Sequence, residues 1–183
     1  MLAIQDNFFS QDDCNSIYEY CIDNYSSLKF NYLFQSSTLE DCLSSEGFKE
    51  KCVSFASRHF DLSQMVGFEY WHNFNLPPNS LTQGWHLDKD EKKYHYDSGE
   101  LIYPLCTIVF YPIMEKEEGG ELVFKEFEVE TVMPRTNRIL CFSPGVWHST
   151  NYCKYKRISI SICPWTYEVE KFIPEIHQRG YKL

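Results

Sequence analysis

Two side chains that can ligate a metal stand two positions apart in Gly84–Asp90, written GWHLDKD: the imidazole of His86 and the carboxylate of Asp88. In an extended segment, side chains two apart leave the same face, so both heads can meet one metal ion without a turn between them. A site of two histidines and one carboxylate on one face, with the remaining positions open, suits non-haem Fe(II). HxD alone is compatible with zinc, with iron or with no metal, and a third ligand has to come from elsewhere. His148 is the preferred candidate, because it follows SPGVW, a turn that delivers a side chain at a strand start, and precedes NYCKYKRISISI. His72 is its rival, on a predicted strand close to His86, although a strand histidine is more often simply packed. His95 sits in a charged loop, His59 late on a helix and His177 near the C-terminus, and all three read as ordinary.

A second chemistry lies in RISISIC. Arg157, Ser159, Ser161 and Cys163 alternate with Ile158, Ile160 and Ile162, so one face of a strand is polar and the other apolar. An arginine aimed into a barrel interior is costly unless an anion pairs with it. Its guanidinium matches a carboxylate bidentately, and the Ser159 hydroxyl could add a further hydrogen bond. The competing reading is an arginine at a strand end that reaches solvent or an acidic neighbour.

The elements that must position these groups follow from the pattern of the chain. The 183 residues suffice for one domain with a sizeable core, and 43% hydrophobic and 17% aromatic residues fit a packed globule. Thirteen tyrosines and fourteen phenylalanines lean towards β structure. The opening residues predict a short strand, then a helix capped at Ser10 with Cys14, Ile17, Tyr18 and Cys21 on one face. Ser36–Ser45 is polar and predicts a loop. A second helix is expected over Ser44–Phe60, with Phe48, Cys52, Phe55 and Ala56 as its apolar stripe. From Met65 the chain becomes β-like: MVGFEYWHNF, GWHLD, LIYPLCTIVFYPI, ELVF, FEVETVMP, NRILCFSPG, VWHSTNY and KRISISICPW are short strands separated by turn signals. NLPPNS and KDEKKYHYDSGE are loops. Two helices followed by many short strands predict a mainly β barrel or sandwich with N-terminal buttressing helices.

The formal net charge of −9 argues against a protein whose main task is gripping a nucleic-acid backbone. No apolar run is long enough for a membrane span, and the N-terminus lacks the basic and apolar regions of a secretory leader. Eight cysteines are scattered without a CxxC pair, several inside apolar strands, which predicts reduced core thiols and a cytoplasmic setting.

Taken in order, HLD (86–88), GGEL (119–122), RILCFSPGVWH (138–148) and RISISICPW (157–165) resemble the 2-oxoglutarate/Fe(II)-dependent oxygenases, in particular the prolyl 4-hydroxylase-like branch; Arg157 falls nine residues after His148. The resemblance spans roughly residues 66–165. It implies a double-stranded β-helix (jelly-roll, cupin-like) core over about 65–165, a helical lead-in over about 1–62, and one oxygenase domain over 1–183. It implies His86, Asp88 and His148 as the facial triad for Fe(II), and Arg157 as the group that holds the distal carboxylate of 2-oxoglutarate, with Ser159 assisting. Tyr111, late on the strand after the HxD loop, would also reach that carboxylate; Tyr103 shares its parity and is a lesser candidate, since Pro104 can shift the register. The implied reaction consumes O₂, decarboxylates 2-oxoglutarate oxidatively and hydroxylates a second substrate, and the retained Asp88 favours hydroxylation over halogenation. By branch the substrate is a peptidyl residue such as proline. The alternatives are a free amino acid or small metabolite, and a metal-binding β-barrel without oxygenase activity. Nucleic-acid dealkylating relatives carry a further arginine several residues on, where this chain has Cys163 and no arginine before Arg179. The loops 76–84 and 89–100 rim the site and are expected to choose the substrate. Trp71, Trp85 and Trp147 are candidate linings for its groove, or core.

Overall fold

In a computed structural model, residues 1–28, 32–76, 83–125, 127 and 131–170 are described. The chain begins with β1 (Leu2–Asp6), α1 (Gln11–Asp23) and α2 (Tyr25–Leu28), followed by β2 (Leu33–Ser36), α3 (Leu39–Ser44) and α4 (Phe48–Ala56). Seven strands complete it: β3 (Gly67–Asn75), β4 (Thr107–Tyr111), β5 (Leu122–Phe124), β6 (Thr131–Val132), β7 (Arg138–Phe142), β8 (His148–Thr150) and β9 (Arg157–Trp165).

The strands form two antiparallel sheets, ordered β1-β7-β4-β9-β3-β2 and β6-β5-β8. Strand periodicity decides what each face of the large sheet meets. Ile108 and Phe110 of β4 and Ile158, Ile160 and Ile162 of β9 pack against Cys14, Ile17, Cys21, Cys52, Phe55 and Ala56 of the helices. The alternate residues Val109, Tyr111, Leu140 and Phe142 turn inward and meet Leu122, Phe124 and Val132 of the small sheet. The molecule is therefore a double-stranded β-helix of the jelly-roll, cupin-like kind, with helices buttressing one face.

Local chemistry explains most boundaries. Ser10 caps α1 by accepting from the Asp13 amide, and Cys14, Ile17 and Cys21 form the buried stripe. The polar stretch Ser36–Ser45 is not a loop throughout: Thr38 and Asp41 form a reciprocal capping box that starts α3, and α4 begins only at Phe48. The charged segment after HxD is likewise structured, with a π-helical turn at Lys93–Asp97. Its anchor is the buried Asp90, which accepts from the Lys93 amide and the Tyr167 hydroxyl. All eight cysteines are free and buried. Among the described residues, no helix is long and apolar enough to cross a membrane.

Candidate functional site

His86 and His148 face each other across an isolated antiparallel bridge and are not part of one long strand. Each backbone amide donates to the other's carbonyl, at 3.0 and 3.1 Å, which holds the two rings with centroids 4.2 Å apart. Asp88 completes the group: one carboxylate oxygen lies 3.8 Å from His86 Nε2 and the other 3.6 Å from His148 Nε2. The three ligand atoms lie within 4.8 Å of one another.

Hydrogen bonds on the far side of each ring decide which nitrogen faces inward. His86 Nδ1 is 2.8 Å from the Gly84 carbonyl, and His148 Nδ1 is 2.9 Å from the Val146 carbonyl. A carbonyl only accepts, so both Nδ1 atoms carry the proton and both Nε2 atoms present a lone pair. That outer support orients metal-ligating histidines in general. Burial, and next the neighbouring His148, holds the His86 pKa below its ordinary range, which keeps the ring in the neutral form that binds a metal. Thr107 Oγ1 donates to Asp88 Oδ2 at 2.7 Å and fixes the carboxylate. His148 is wedged against Phe142, with ring centroids 4.9 Å apart. The turn before it needs Gly145, whose φ is +69° and where a Cβ would lie 3.3 Å from the Tyr103 ring.

The same cavity is lined by these three residues and by Thr107, Tyr111, Arg157 and Ser159. Arg157 is 6% exposed. Its Nη1 donates to the Gly120 carbonyl at 2.6 Å, while Nε has no hydrogen-bond partner and no carboxylate lies within ion-pair distance among the described residues. Gly120 is required here, because its φ is +74° and a Cβ would fall 2.3 Å from Arg157 Nη1. A buried, unpaired guanidinium is expensive, and an anion in the cavity would offset that cost. The opposite charge gathers near the triad. Burial, and then Asp88, Asp90 and Glu91, push the Glu69 carboxyl up to about 7. The cavity lining thus includes both a carboxylate, Asp88, and a guanidinium, Arg157.

No family model and no curated protein matches the chain by sequence. Solved structures do match it. A Pseudomonas putida prolyl-4-hydroxylase aligns with a TM-score of 0.58 and 17% identity, over 91% of this chain and 93% of that one. A viral collagen prolyl hydroxylase from Paramecium Bursaria Chlorella virus-1 aligns at 0.60 and 16%, over 91% and 90%. A Trichoplax adhaerens prolyl hydroxylase, in complex with a hypoxia inducible factor oxygen degradation domain peptide fragment, aligns at 0.57 and 14%, over 90% and 83%. The chain has the prolyl hydroxylase fold.

Within that fold the remaining candidates separate cleanly. Tyr111 is buried in the cavity wall, and burial raises its hydroxyl pKa while Arg157 opposes that shift. Tyr103 is not among the lining residues: it precedes β4 in an irregular segment and packs on Gly145, so the parity with Tyr111 does not carry through Pro104. His72 points to the helix side of β3, between Tyr70 and Phe74, while its neighbours Trp71 and Asn73 face the cavity. His95 pairs with Glu91 at 3.0 Å, and His59 packs on Phe55. His177 and Arg179 lie outside the described residues, as does most of the loop 76–84. Trp85 and Trp147 are exposed outside the cavity, both in contact with the Lys125 ammonium. The sequence reading missed Thr107 and Gln83. The β4 alternation that singles out Tyr111 also passes through Thr107, so its signal was present.

Proposed function

We propose that the chain is an Fe(II)- and 2-oxoglutarate-dependent oxygenase, acting as one domain, that hydroxylates a second substrate. The observation that carries this reading is the buried Arg157 guanidinium, without an ion-pair partner among the described residues, in the same small cavity as two inward-facing imidazole Nε2 atoms and a carboxylate. His86, Asp88 and His148 would hold the iron as a two-histidine, one-carboxylate face. Arg157 would grip the distal carboxylate of 2-oxoglutarate, with the Ser159 and Tyr111 hydroxyls in the same wall as further donors. When bound, that pair supplies O₂ activation driven by oxidative decarboxylation of the co-substrate. The protein's own contribution is to position the two charges, keep both rings in one tautomer and shield the buried end from water. Tyr103 supports the turn before His148.

For the substrate, we propose a peptidyl residue such as proline. The support is the fold shared with enzymes named as prolyl hydroxylases, one of which is seen with a peptide fragment. The test is succinate formation by purified protein with Fe(II) and 2-oxoglutarate, with and without proline-containing peptides and, separately, free amino acids. Stimulation by a peptide, abolished in His86→Ala, Asp88→Ala and His148→Ala, is expected. Turnover that survives all three substitutions removes the assigned centre, and stimulation by free amino acids alone moves the substrate to that class.

A further inference from the structure

Besides Thr107, a second residue outside the triad makes a side-chain contact at the centre. Gln83 Nε2 lies 2.9 Å from His86 Nε2, the atom that would bind a metal. Because His86 Nδ1 donates to the Gly84 carbonyl, Nε2 is an acceptor, and the Gln83 amide donates to it. The lone pair can serve the amide or a metal, not both.

Position makes this contact consequential. The Gln83 carbonyl accepts from the Thr150 amide at 3.0 Å, which ties its backbone to β8 two residues beyond His148. Gln83 itself is exposed, and the side chains of His86, Asp88 and His148 are 26%, 10% and 6% exposed, so His86 is the ligand nearest solvent. An ion arriving from solvent meets the Gln83–His86 pair before the deeper ligands.

We infer that Gln83 is a gate on metal loading: its amide caps the His86 lone pair in the free protein and swings away when a divalent cation binds. The inference rests on the metal-binding reading of His86, Asp88 and His148. A net intramolecular hydrogen bond corresponds to a factor of about two to ten in an equilibrium constant, and that factor opposes the metal. Removing the amide therefore tightens metal binding, whereas losing a residue that merely supports the site would weaken it.

The experiment compares wild type with Gln83→Leu, which keeps the bulk and removes the donor, titrating each with Mn(II) and with Zn(II) by calorimetry. Gln83 is exposed, so the fold tolerates the change. A roughly two- to tenfold tighter dissociation constant in Gln83→Leu is expected for both ions. In wild type, the Gln83 side-chain amide protons should move towards free-glutamine positions by NMR as Zn(II) saturates the site. Unchanged or weaker metal binding in the variant overturns the gate while leaving the triad intact. Failure of wild type to bind either ion overturns both the gate and the reading beneath it.

Discussion

Asp88 addresses each histidine with a different carboxylate oxygen, and the oxygen nearer His148 also accepts from Thr107. That hydroxyl is held in turn by the Cys163 thiol at 3.7 Å, so a strand-to-strand contact between β4 and β9 reaches the centre. Replacing Thr107 by valine keeps the shape and deletes the donor. The fold should survive, and metal affinity should drop roughly 10- to 100-fold, as is usual when a partner of a metal ligand is lost. Calorimetry with Mn(II) checks this, and an unchanged affinity would show that Asp88 needs no such support. At this scale the grouping was legible: HxD, the histidine after SPGVW and the arginine nine residues later come together around one cavity. Thr107 could be placed on the inward face by the β4 alternation, but the partners of Thr107 and Gln83 emerge only in the fold. Nothing in the types of Thr107 or Gln83 distinguishes them until Asp88 and His86 lie beside them.

Among the elements, β3 shows how alternation sorts candidate from bystander. Trp71 and Asn73 turn into the cavity, whereas His72 turns towards the helices and is 6% exposed, with neither ring nitrogen hydrogen-bonded among the described residues. Burial, aided by Lys49, pushes its pKa down from 6.5 to about 4. The depressed value means that the unfolded chain takes up a proton below about 6.5 that the folded protein resists down to about 4. Stability contributed at neutral pH is thus lost as pH falls through that window, on the order of 2–3 kcal/mol at its acid end. His72→Leu should therefore raise the melting temperature, by more at pH 5 than at pH 8. An equal shift at both pH values would contradict this assignment. The helices were legible where an apolar stripe marked them, as in α1. Helix α3 escaped because its signal is a capping box in a polar stretch, and the π-helical turn because buried Asp90 looks, in sequence, like one more charge in a loop.

The whole molecule brings residues 62 positions apart, His86 and His148, onto one antiparallel bridge and sets β9 beside them, so that Arg157 enters the same cavity. Mainly β composition and strand-like patterning were enough to anticipate a barrel or sandwich with buttressing helices, and the family resemblance implied the double-stranded β-helix. Which strands pair, and that GWHLD contributes a single bridge in place of a strand, depends on long-range closure that no local pattern encodes. The central claim is that one cavity holds a divalent metal and an anionic co-substrate together. Calorimetric titration of 2-oxoglutarate into Mn(II)-loaded protein tests it most directly. Wild type should bind 2-oxoglutarate only when the metal is present, and Arg157→Ala should retain Mn(II) while its affinity for 2-oxoglutarate falls at least about tenfold, the scale of a lost charge-assisted hydrogen bond. Equal binding of 2-oxoglutarate by wild type and Arg157→Ala, or binding that ignores the metal, would contradict the account.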